Sequence, residues 1–397
     1  MDKIEEMLTR GVENIYPTKA ALEEVLRSNK KIRLYNGIDP TGPQLHLGHM
    51  VVLKKLRQFQ NLGHHIILLL GDFTGMIGDP SGKSEARKPL SREQLLENAK
   101  NYKNQASKIL RFEGENPVEI KYNSEWLDNL SYPEIIKLTS LVTYSQVIER
   151  DMFQKRVQEG KDLFVNELLY PLVQGYDSVA MDVDLEIGGS DQTFNMLMGR
   201  TLMKKIKGKE KYVLTTKLLA EPGKEKMGKT TGNLICLDEK PSEMFGKIMS
   251  WPDEMLEIGF ELLTDVAPEE VKQSLNDPLN LKKRLAEDLV RQLHSQEEAI
   301  RARVEFERVH QQRENAEDLA ISISENIASK DAAGTVNLVD VLYNGNITPS
   351  KSSAKNLIEQ GAIDVDNKTV TDVNTRIKAP VNIKVGKKKF VKFVPVN

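Results

Sequence analysis

Residues 31–62 read KIRLYNGIDPTGPQLHLGHMVVLKKLRQFQNL. Residues 31–38 predict a β-strand, and the amphipathic run that begins at Val51 predicts a helix to about Leu62. The motif His46-Leu47-Gly48-His49 lies at the junction between these two elements. Backbone N–H groups and the helix dipole favour an anion at such a junction, and glycine lets a ligand approach the backbone closely. The segment therefore predicts a nucleotide-phosphate site at the start of a helix.

Four further short runs predict strands of the same sheet. They span residues 65–71, 118–121, 183–187 and 212–219. The run at 65–71 is continuously apolar at its centre, as expected for a strand buried on both faces of a parallel sheet. Because such runs alternate with helices and glycine-rich turns, the sequence predicts an α/β fold with a doubly wound, Rossmann-like parallel sheet. Ligands of these sheets bind beyond the carboxyl ends of the strands.

The pattern changes along the chain and predicts three domains. Residues 1–30 predict a helical lead-in, residues 241–317 are mostly helical in pattern, and the polar stretch 329–334 reads as a linker. A short helix is predicted from Ser350, followed by two short strands around a turn within 361–370. The predicted domains are a Rossmann-like catalytic domain at 1–233, an α-helical domain at 234–326 and a small α+β domain at 335–397.

Composition places the chain among ordinary globular proteins. Of its 397 residues, 39% are hydrophobic and 29% are charged. Its lone cysteine, Cys236, cannot form an internal disulfide or supply a thiolate cluster, so no structural zinc is expected. The apolar run from Ile66 to Leu70 is too short to span a bilayer, and the first residues lack the pattern of a secretory signal. A reducing cytoplasm fits these features.

Charge is unevenly distributed along the chain. The net charge is −2, but residues 331–397 carry 10 Lys and Arg against 6 Asp and Glu, a balance of +4. The rest of the chain holds 46 against 52, a balance of −6. A basic tail on an acidic body suggests a polyanionic partner, although on charge alone a solvated charged surface is the more common explanation.

A lysine-rich loop far downstream of the histidine motif also suits phosphate binding. It reads Lys226-Met227-Gly228-Lys229-Thr230. Two lysines three residues apart can hold a departing pyrophosphate as mobile positive charges. A lysine-rich loop alone is usually only solvated, but the combination with two histidines far upstream is more specific than either half. Together they predict the activation of ATP.

A second phosphate-binding candidate follows the strand at 65–71. The stretch from Gly78 to Ser84 is one residue shorter than a P-loop, which argues against a Walker-type NTPase. Lys83 and Arg87 can still reach phosphates from this loop, and Asp79 can bind a substrate ammonium.

Two more motifs carry polar side chains toward the predicted sheet edge. Tyr170, Gln174 and Asp177 recur on one face of a helix, where they would line a small polar pocket or form a buried network without a ligand. The turn at 188–192, which contains Asp191, can approach a ribose and an α-phosphate, although helix capping would also explain it.

These motifs together resemble the bacterial tyrosyl-tRNA synthetases, a family of class I aminoacyl-tRNA synthetases, over essentially the whole chain. The motifs appear in the family's order: Tyr35-x-Gly37-x-Asp39-Pro40-Thr41, His46-x-Gly48-His49, Gly78 to Lys83, Gln174-x-x-Asp177, Gly188 to Gln192 and the lysine loop. The C-terminal segment resembles a small RNA-binding domain shared with a ribosomal small-subunit protein, through Pro349 to Lys355 and the strands within 361–370. In one departure, Gly228 stands where the family most often has serine, so a hydroxyl is lost there.

The resemblance implies a two-step reaction in which L-tyrosine is activated by ATP, with Mg²⁺ accompanying ATP, and is then transferred to tRNA(Tyr). It implies that seven residues take part in catalysis: Thr41, His46, His49, Lys83, Arg87, Lys226 and Lys229. It implies tyrosine contacts by Tyr35, Asp79, Tyr170, Gln174, Asp177 and Gln192. It implies ATP contacts by Asp39, His46, Gly48, His49, Asp191, Lys226, Lys229 and Thr230.

The resemblance also implies a homodimer, an anticodon-binding role for the helical domain and a tRNA-binding role for the basic tail. The candidate tRNA contacts are Lys351, Lys355, Lys368, Arg376, Lys387, Lys388 and Lys389. The nearest alternative is a tryptophanyl-tRNA synthetase, although Asp177 beside Tyr35 favours a phenol over an indole. A different adenylyltransferase would not need the basic tail. A non-catalytic RNA-binding relative would not need the two histidines and two lysines together.

Overall fold

The computed structural model of the chain describes residues 2–80, 90–221, 234–310, 321–366, 368–386 and 389–395. The chain divides into two compact units, Met1–Arg303 and Val304–Asn397. Within the described residues, no helix combines the length and apolar character needed to cross a membrane.

A six-stranded sheet forms the centre of the first unit. Its strands are β1 (Val12–Tyr16), β2 (Arg33–Ile38), β3 (His65–Leu70), β4 (Glu119–Tyr122), β5 (Leu185–Gly189) and β6 (Tyr212–Thr216). Their order in space is β1-β6-β5-β2-β3-β4. All neighbouring strands are parallel except β1, which is antiparallel to β6. The predicted α/β class with a doubly wound parallel sheet is therefore confirmed.

Helices connect the strands and continue beyond the sheet. Those before β5 are α1 (Lys3–Met7), α2 (Lys19–Arg27), α3 (Leu47–Asn61), α4 (Thr74–Ile77), α5 (Arg92–Ala99), α6 (Tyr102–Ala106), α7 (Ser124–Leu127), α8 (Tyr132–Thr139), α9 (Tyr144–Ile148), α10 (Asp151–Gln158) and α11 (Val165–Met181). Those after β5 are α12 (Thr193–Lys207), α13 (Pro241–Met249), α14 (Leu256–Leu263), α15 (Pro268–Gln273), α16 (Pro278–Leu293) and α17 (Gln296–His310).

The sequence pattern explains why the sheet forms. Residues Ile66 to Leu70 of β3 are all buried, because the strand lies inside the sheet with both of its faces covered. Helix α3 buries the stripe that its 3.6-residue period predicts, including Met50, Leu53 and Phe59. The strand–motif–helix unit at 31–62 thus supplies a central strand of the sheet and a helix that packs on it.

The strand order places a crevice at one edge of the sheet. Along the sheet, β2 leads outward to β3 and β4 on one side and to β5 and β6 on the other. At such a reversal the helices that follow the two central strands leave on opposite faces, which opens a crevice beyond their carboxyl ends. These ends are Ile38 and Gly189, so the histidine motif and the 188–192 turn both open toward this crevice.

The N-terminal lead-in differs from the prediction. Residues 1–30 were expected to be helical, but β1 lies between α1 and α2 and pairs with β6 from Val12 to Tyr16. The strand is only half-buried and has no clean alternation of apolar and polar residues. Its extended form comes from edge pairing with a distant strand, which a local pattern does not reveal.

The second unit is a small α+β domain. Its strands are β7 (Ile321–Ser324), β8 (Val336–Asn337), β9 (Ile363–Val365), β10 (Lys368–Val370), β11 (Arg376–Ile377), β12 (Val381–Val385) and β13 (Lys389–Val394). Five of them form a sheet in the order β10-β9-β12-β13-β7, and β11 pairs with β8. Helices α18 (Leu338–Asn344) and α19 (Lys351–Glu359) pack Leu342 and Ile358 into the same core as Ile363 and Phe393.

The stretch predicted as a linker is held within this unit. Asp331 accepts hydrogen bonds from the backbone N–H groups of Ala333 and Thr335, and its carboxylate pairs with Arg376. Upstream of it, β7 pairs in parallel with β13. The division into domains at 1–233, 234–326 and 335–397 stays a prediction.

A buried histidine gives the first unit a distinct pH dependence. His64 is 3% exposed, and its Nδ1 accepts a hydrogen bond from the backbone of Ile32 at 3.4 Å. Burial, reinforced by the nearby charge of Lys31, lowers the pKa of His64 to about 4. As the pH falls from 6.5 toward 4, the unfolded chain takes up a proton at this position and the folded chain does not.

We therefore expect the free energy of unfolding to fall by up to about 3 kcal/mol over that interval because of His64. Urea denaturation at a series of pH values measures this. The H64F variant should lose this part of the pH dependence, since phenylalanine does not titrate. Parallel pH curves for the two proteins would contradict the assignment.

Candidate active site

The histidine motif begins helix α3 and caps it. His46 is the N-cap residue, and its Nδ1 accepts the backbone N–H of Gly48 at 3.1 Å. His49 Nδ1 accepts the backbone N–H of His46 at 3.1 Å, which completes a reciprocal capping box. A Cβ on Gly48 would lie 2.9 Å from the His46 ring, so this position requires glycine.

This capping determines what the two rings offer to a ligand. Because each Nδ1 accepts a backbone N–H, the proton of each neutral ring belongs on Nε2. The rings lie side by side, with their centroids 3.9 Å apart, and both side chains are partly exposed. His46 and His49 therefore present two adjacent N–H donors at a helix N-terminus, an arrangement suited to phosphate or hydroxyl oxygens.

The chain segment that follows the lysine loop is anchored on the histidine motif. Leu47 donates its N–H to Ile235, and Leu237 donates its N–H to Leu45, at 3.0 and 2.9 Å. Cys236 lies opposite His46 in the resulting antiparallel bridge. The predicted residues Lys226, Lys229 and Thr230 lie outside the described part of the chain, as do Lys83 and Arg87. Residues 235–237, which follow the lysine loop in the sequence, therefore lie directly beside the histidine motif.

Asp39, the first residue after β2, connects two parts of the predicted pocket. Its Oδ1 accepts the hydroxyl of Thr74 at 2.6 Å, and its Oδ2 accepts the hydroxyl of Tyr170 at 2.9 Å. The backbone N–H of Thr41 donates to the carbonyl of Asp39 at 2.7 Å. Asp39 therefore fixes the phenol of Tyr170 at the carboxyl end of β2.

Asp177 lies at the centre of a buried polar network. It is 1% exposed and accepts hydrogen bonds from Trp126 Nε1 at 2.8 Å and Asn123 Nδ2 at 3.3 Å. Asn123 also donates to Thr74 Oγ1 at 2.9 Å, which links this network to Asp39. Burial raises the pKa of Asp177 well above its usual value, and the two hydrogen bonds to its carboxylate oppose that rise.

The remaining predicted pocket residues meet across the crevice. Gln192 Nε2 donates to Asp79 Oδ2 at 2.9 Å and lies 3.5 Å from Asp191 Oδ2. Gln174 Nε2 approaches Glu186 Oε1 at 3.4 Å. Among the described residues nothing hydrogen-bonds the buried Oε1 of Gln174, which leaves an acceptor available to a ligand's ammonium.

Comparison with known proteins identifies the family. Residues 27–311 match the model of "tRNA synthetases class I (W and Y)", and residues 310–392 match that of the "Tyrosine--tRNA ligase SYY-like C-terminal domain". A tyrosine–tRNA ligase of Carboxydothermus hydrogenoformans is 42% identical, with 98% of this chain and 97% of that protein covered. The chain belongs to the tyrosine–tRNA ligase family. It is thus a class I aminoacyl-tRNA synthetase, and the resemblance seen in the sequence is confirmed.

Other members and folds agree with this placement. The tyrosine–tRNA ligase of Aquifex aeolicus is 42% identical over 93% of each chain. The solved structure of a C-terminally truncated mitochondrial tyrosyl-tRNA synthetase of Aspergillus nidulans superposes with a TM-score of 0.66 at 21% identity. It covers 77% of this chain and 94% of the other, which shows a shared fold.

Tyr35 and Asp177, both predicted to contact the substrate's phenol, bond to different groups of the chain. Their joint role at the phenol stays a prediction. Tyr35 is fully buried, and its hydroxyl is 2.9 Å from Ser178 Oγ. The hydroxyl of Tyr35 is thus held from behind, by a residue that follows Asp177 in α11.

The candidate tRNA contacts in the second unit fall into three groups. Lys355 and Lys368 are exposed and, among the described residues, make no ion pair. Lys351 pairs with Asp340, and Arg376 with Asp331 and Thr335, so these two cations are already engaged. Lys387 and Lys388 and the side chain of Lys389 lie outside what the structure describes.

Sequence reasoning missed several polar residues of the site. Arg150 is buried, its guanidinium lies 5.5 Å from the ring centroids of Phe153 and Phe194, and its Nη2 is 3.9 Å from Asp79 Oδ1. Burial lowers the pKa of Arg150, and the charge of Asp79 opposes this. The other missed residues are Thr74, Asn123, Trp126, Ser178, Glu186 and Lys211. Only Asn123 gave a signal, because it lies two residues beyond the predicted strand at 118–121.

Proposed function

We propose that this protein joins L-tyrosine to tRNA(Tyr) in two steps, using ATP. The observation that carries the proposal is the meeting of two different sites at one crevice. A pair of N–H donors at the start of α3 suits phosphate, and a buried polar network between β2 and α11 offers partners to a small amino acid. We assign ATP to the first site and tyrosine to the second because the chain belongs to the tyrosine–tRNA ligase family.

In the first step, a carboxylate oxygen of tyrosine attacks the α-phosphorus of ATP and pyrophosphate leaves. The carboxylate is already ionised, so the step needs no general base. Catalysis then consists of alignment and stabilisation of charge on the phosphates. His46 and His49 supply donors, and Lys226 and Lys229 hold the departing pyrophosphate. Mg²⁺ arrives with ATP as part of the substrate.

In the second step, a hydroxyl of the terminal ribose of tRNA attacks the carbonyl carbon of tyrosyl adenylate. The tyrosyl ester forms and AMP leaves. The location proposed for this reaction is the cytoplasm. Recognition of tyrosine rests on its two polar ends: Asp79, Tyr170 and Gln174 contact the ammonium, while Tyr35 and Asp177 contact the phenol.

Aminoacylation of bacterial tRNA with labelled amino acids tests the proposal. We expect acid-precipitable label with tyrosine and not with tryptophan. Charging with tryptophan would show that the protein is a tryptophanyl-tRNA synthetase. Failure to charge either amino acid, with the family fold intact, would support a non-catalytic RNA-binding role.

We further propose that the second unit binds the tRNA backbone. Lys355 and Lys368 are two exposed cations of this unit that make no ion pair among the described residues, and each phosphate contact releases a bound counterion. We expect K355A/K368A to raise the KM for tRNA about threefold to tenfold and to reduce the salt dependence of binding. Tyrosine activation should not change. K351A is the matched control, because Lys351 is paired with Asp340.

A homodimer is supported by large side chains that are exposed on the first unit. Four large side chains between α8 and α11 are strongly exposed: Tyr132 (76%), Tyr144 (70%), Phe164 (55%) and Val165 (73%). Apolar exposure of this extent is typical of a surface that is covered by another chain. We propose that a second copy of this chain covers it.

Placing a charge on this surface should separate the subunits. Val165 is the first residue of α11, where an aspartate is favoured by the helix dipole, so V165D should fold normally. We expect sedimentation to show a dimer for the wild type and a monomer, or a concentration-dependent mixture, for V165D. A V165D protein that remains fully dimeric would place the interface elsewhere.

A further inference from the structure

A buried lysine stands behind the proposed tyrosine pocket. Lys211 precedes β6, and its side chain is fully buried. Its Nζ donates to Ser178 Oγ at 2.8 Å and to the carbonyl of Met196 at 3.2 Å, and it pairs closely with Glu186. The three N–H groups of an ammonium thus meet three acceptors. Burial lowers the pKa of Lys211, and the carboxylate of Glu186 opposes this.

The fold makes room for this lysine at one helix crossing. A Cβ on Gly199 of α12 would lie 2.6 Å from Lys211 Nζ and 2.8 Å from Ser178 Oγ. Burying an ammonium is costly unless every donor is satisfied. The chain therefore maintains a fully hydrogen-bonded charge at a place where an apolar residue would fill the space.

The lysine engages both groups that could accept the proton of Tyr35. An ammonium can only donate, so Ser178 Oγ accepts from Lys211 and keeps its own hydrogen. The hydroxyl of Tyr35 lies 2.9 Å from that oxygen, where either group can donate, and Glu186 is the other acceptor beside it. Because Lys211 also pairs with Glu186, the hydroxyl of Tyr35 can accept from Ser178 and keep its proton for the substrate.

We propose that Lys211 is a positioning residue that, through Ser178, sets the hydroxyl of Tyr35 as a donor to the substrate's phenol oxygen. This rests on the proposed tyrosine pocket and adds the direction of the bond. The phenol accepts from Tyr35 and donates its own proton to a carboxylate, for which Asp177 is placed. Phenylalanine has no hydroxyl, so it leaves the Tyr35 hydroxyl without an acceptor. The amino group of 4-aminophenylalanine points its own N–H donors at the Tyr35 donor.

Two variants remove the relay in different ways. S178A deletes the connecting oxygen and leaves the Lys211–Glu186 pair in place. K211M removes the donor and keeps the length of the side chain. K209M is the matched control, because Lys209 lies two residues away and pairs at the surface with Asp182 and Asp184. The probes are tyrosine, phenylalanine and 4-aminophenylalanine in amino-acid-dependent ATP–pyrophosphate exchange.

We expect S178A to lower kcat/KM for tyrosine about tenfold, the scale of one buried hydrogen bond, with little change for phenylalanine. The ratio of 4-aminophenylalanine to tyrosine should rise by a similar factor, since a freed Tyr35 can accept from the amine. K211M should shift both ratios in the same direction, and K209M should match the wild type.

Other outcomes overturn the inference. Equal losses for all three amino acids would give the relay a purely structural role, and unchanged ratios would remove its effect on specificity. If the wild type shows no tyrosine-dependent exchange, the proposed function itself fails. If the wild type is active and S178A keeps its ratios, only the inference fails. K211M leaves the buried carboxylate of Glu186 without its cation, which can destabilise the fold. The thermal stability of K211M is therefore measured alongside that of S178A.

Discussion

H46A is expected to slow tyrosyl adenylate formation about 100- to 1,000-fold, the usual effect of deleting one donor to a charged transition state. The donor is Nε2–H, since Nδ1 of His46 is occupied by the N–H of Gly48. Tyrosine affinity should barely change, because the residues predicted to contact tyrosine, among them Tyr170 and Asp177, are held by a separate hydrogen-bond network. Single-turnover formation of adenylate, with tyrosine binding measured by equilibrium titration, separates the two quantities.

The matched control for this variant is H46N. His46 also caps α3, and losing a cap destabilises a helix by about 1 kcal/mol. Asparagine is a good capping residue but cannot reach as far as Nε2. H46N should therefore recover the stability lost in H46A and remain slow. A fast H46N enzyme would mean that His46 acts through the helix and not on ATP.

D177N is expected to lower kcat/KM for tyrosine about 100-fold or more, because a buried charged acceptor is replaced by a group that brings donors. Trp126 Nε1–H and Asn123 both donate to the Asp177 carboxylate, and the substrate phenol needs the same acceptor. Phenylalanine makes no such bond, so its activation should fall far less. The ratio of kcat/KM for tyrosine to kcat/KM for phenylalanine, measured by pyrophosphate exchange, gives the part of the loss that depends on the substrate's hydroxyl.

Asp72 offers a matched control for D177N. It is 2% exposed and also accepts hydrogen bonds, from the backbone and the hydroxyl of Ser124. Among the described residues, no hydrogen bond joins its side chain to Asp177 or Asp39. D72N should lower stability and leave the tyrosine-to-phenylalanine ratio unchanged. If D72N alters that ratio as much as D177N does, the effect belongs to buried aspartates in general.

Much of the fold could be predicted from local patterns. The apolar run of β3 and the amphipathic stripe of α3 each identify an element, because both arise from short-range periodicity. The edge strand β1 could not be predicted, since pairing with a strand about 200 residues away overrides weak local propensity. The order of strands likewise depends on connections that no single segment encodes.

The site was predictable where motifs bring polar residues to strand ends, as at Asp39 and the histidine pair. It was not predictable where a side chain enters from a distant element. Lys211 precedes a strand and reads as an ordinary surface lysine, yet it is fully buried beneath Tyr35. Arg150 reads as one charge among several, and only the fold places it beside Asp79.

The central claim is that the crevice between β2 and β5 activates tyrosine with ATP. ATP–pyrophosphate exchange, run with each of the twenty amino acids in turn, tests it most directly. We predict exchange with tyrosine that exceeds every other amino acid by orders of magnitude and is lost in D177N. Exchange driven best by another amino acid, or none with any of them, would contradict the claim.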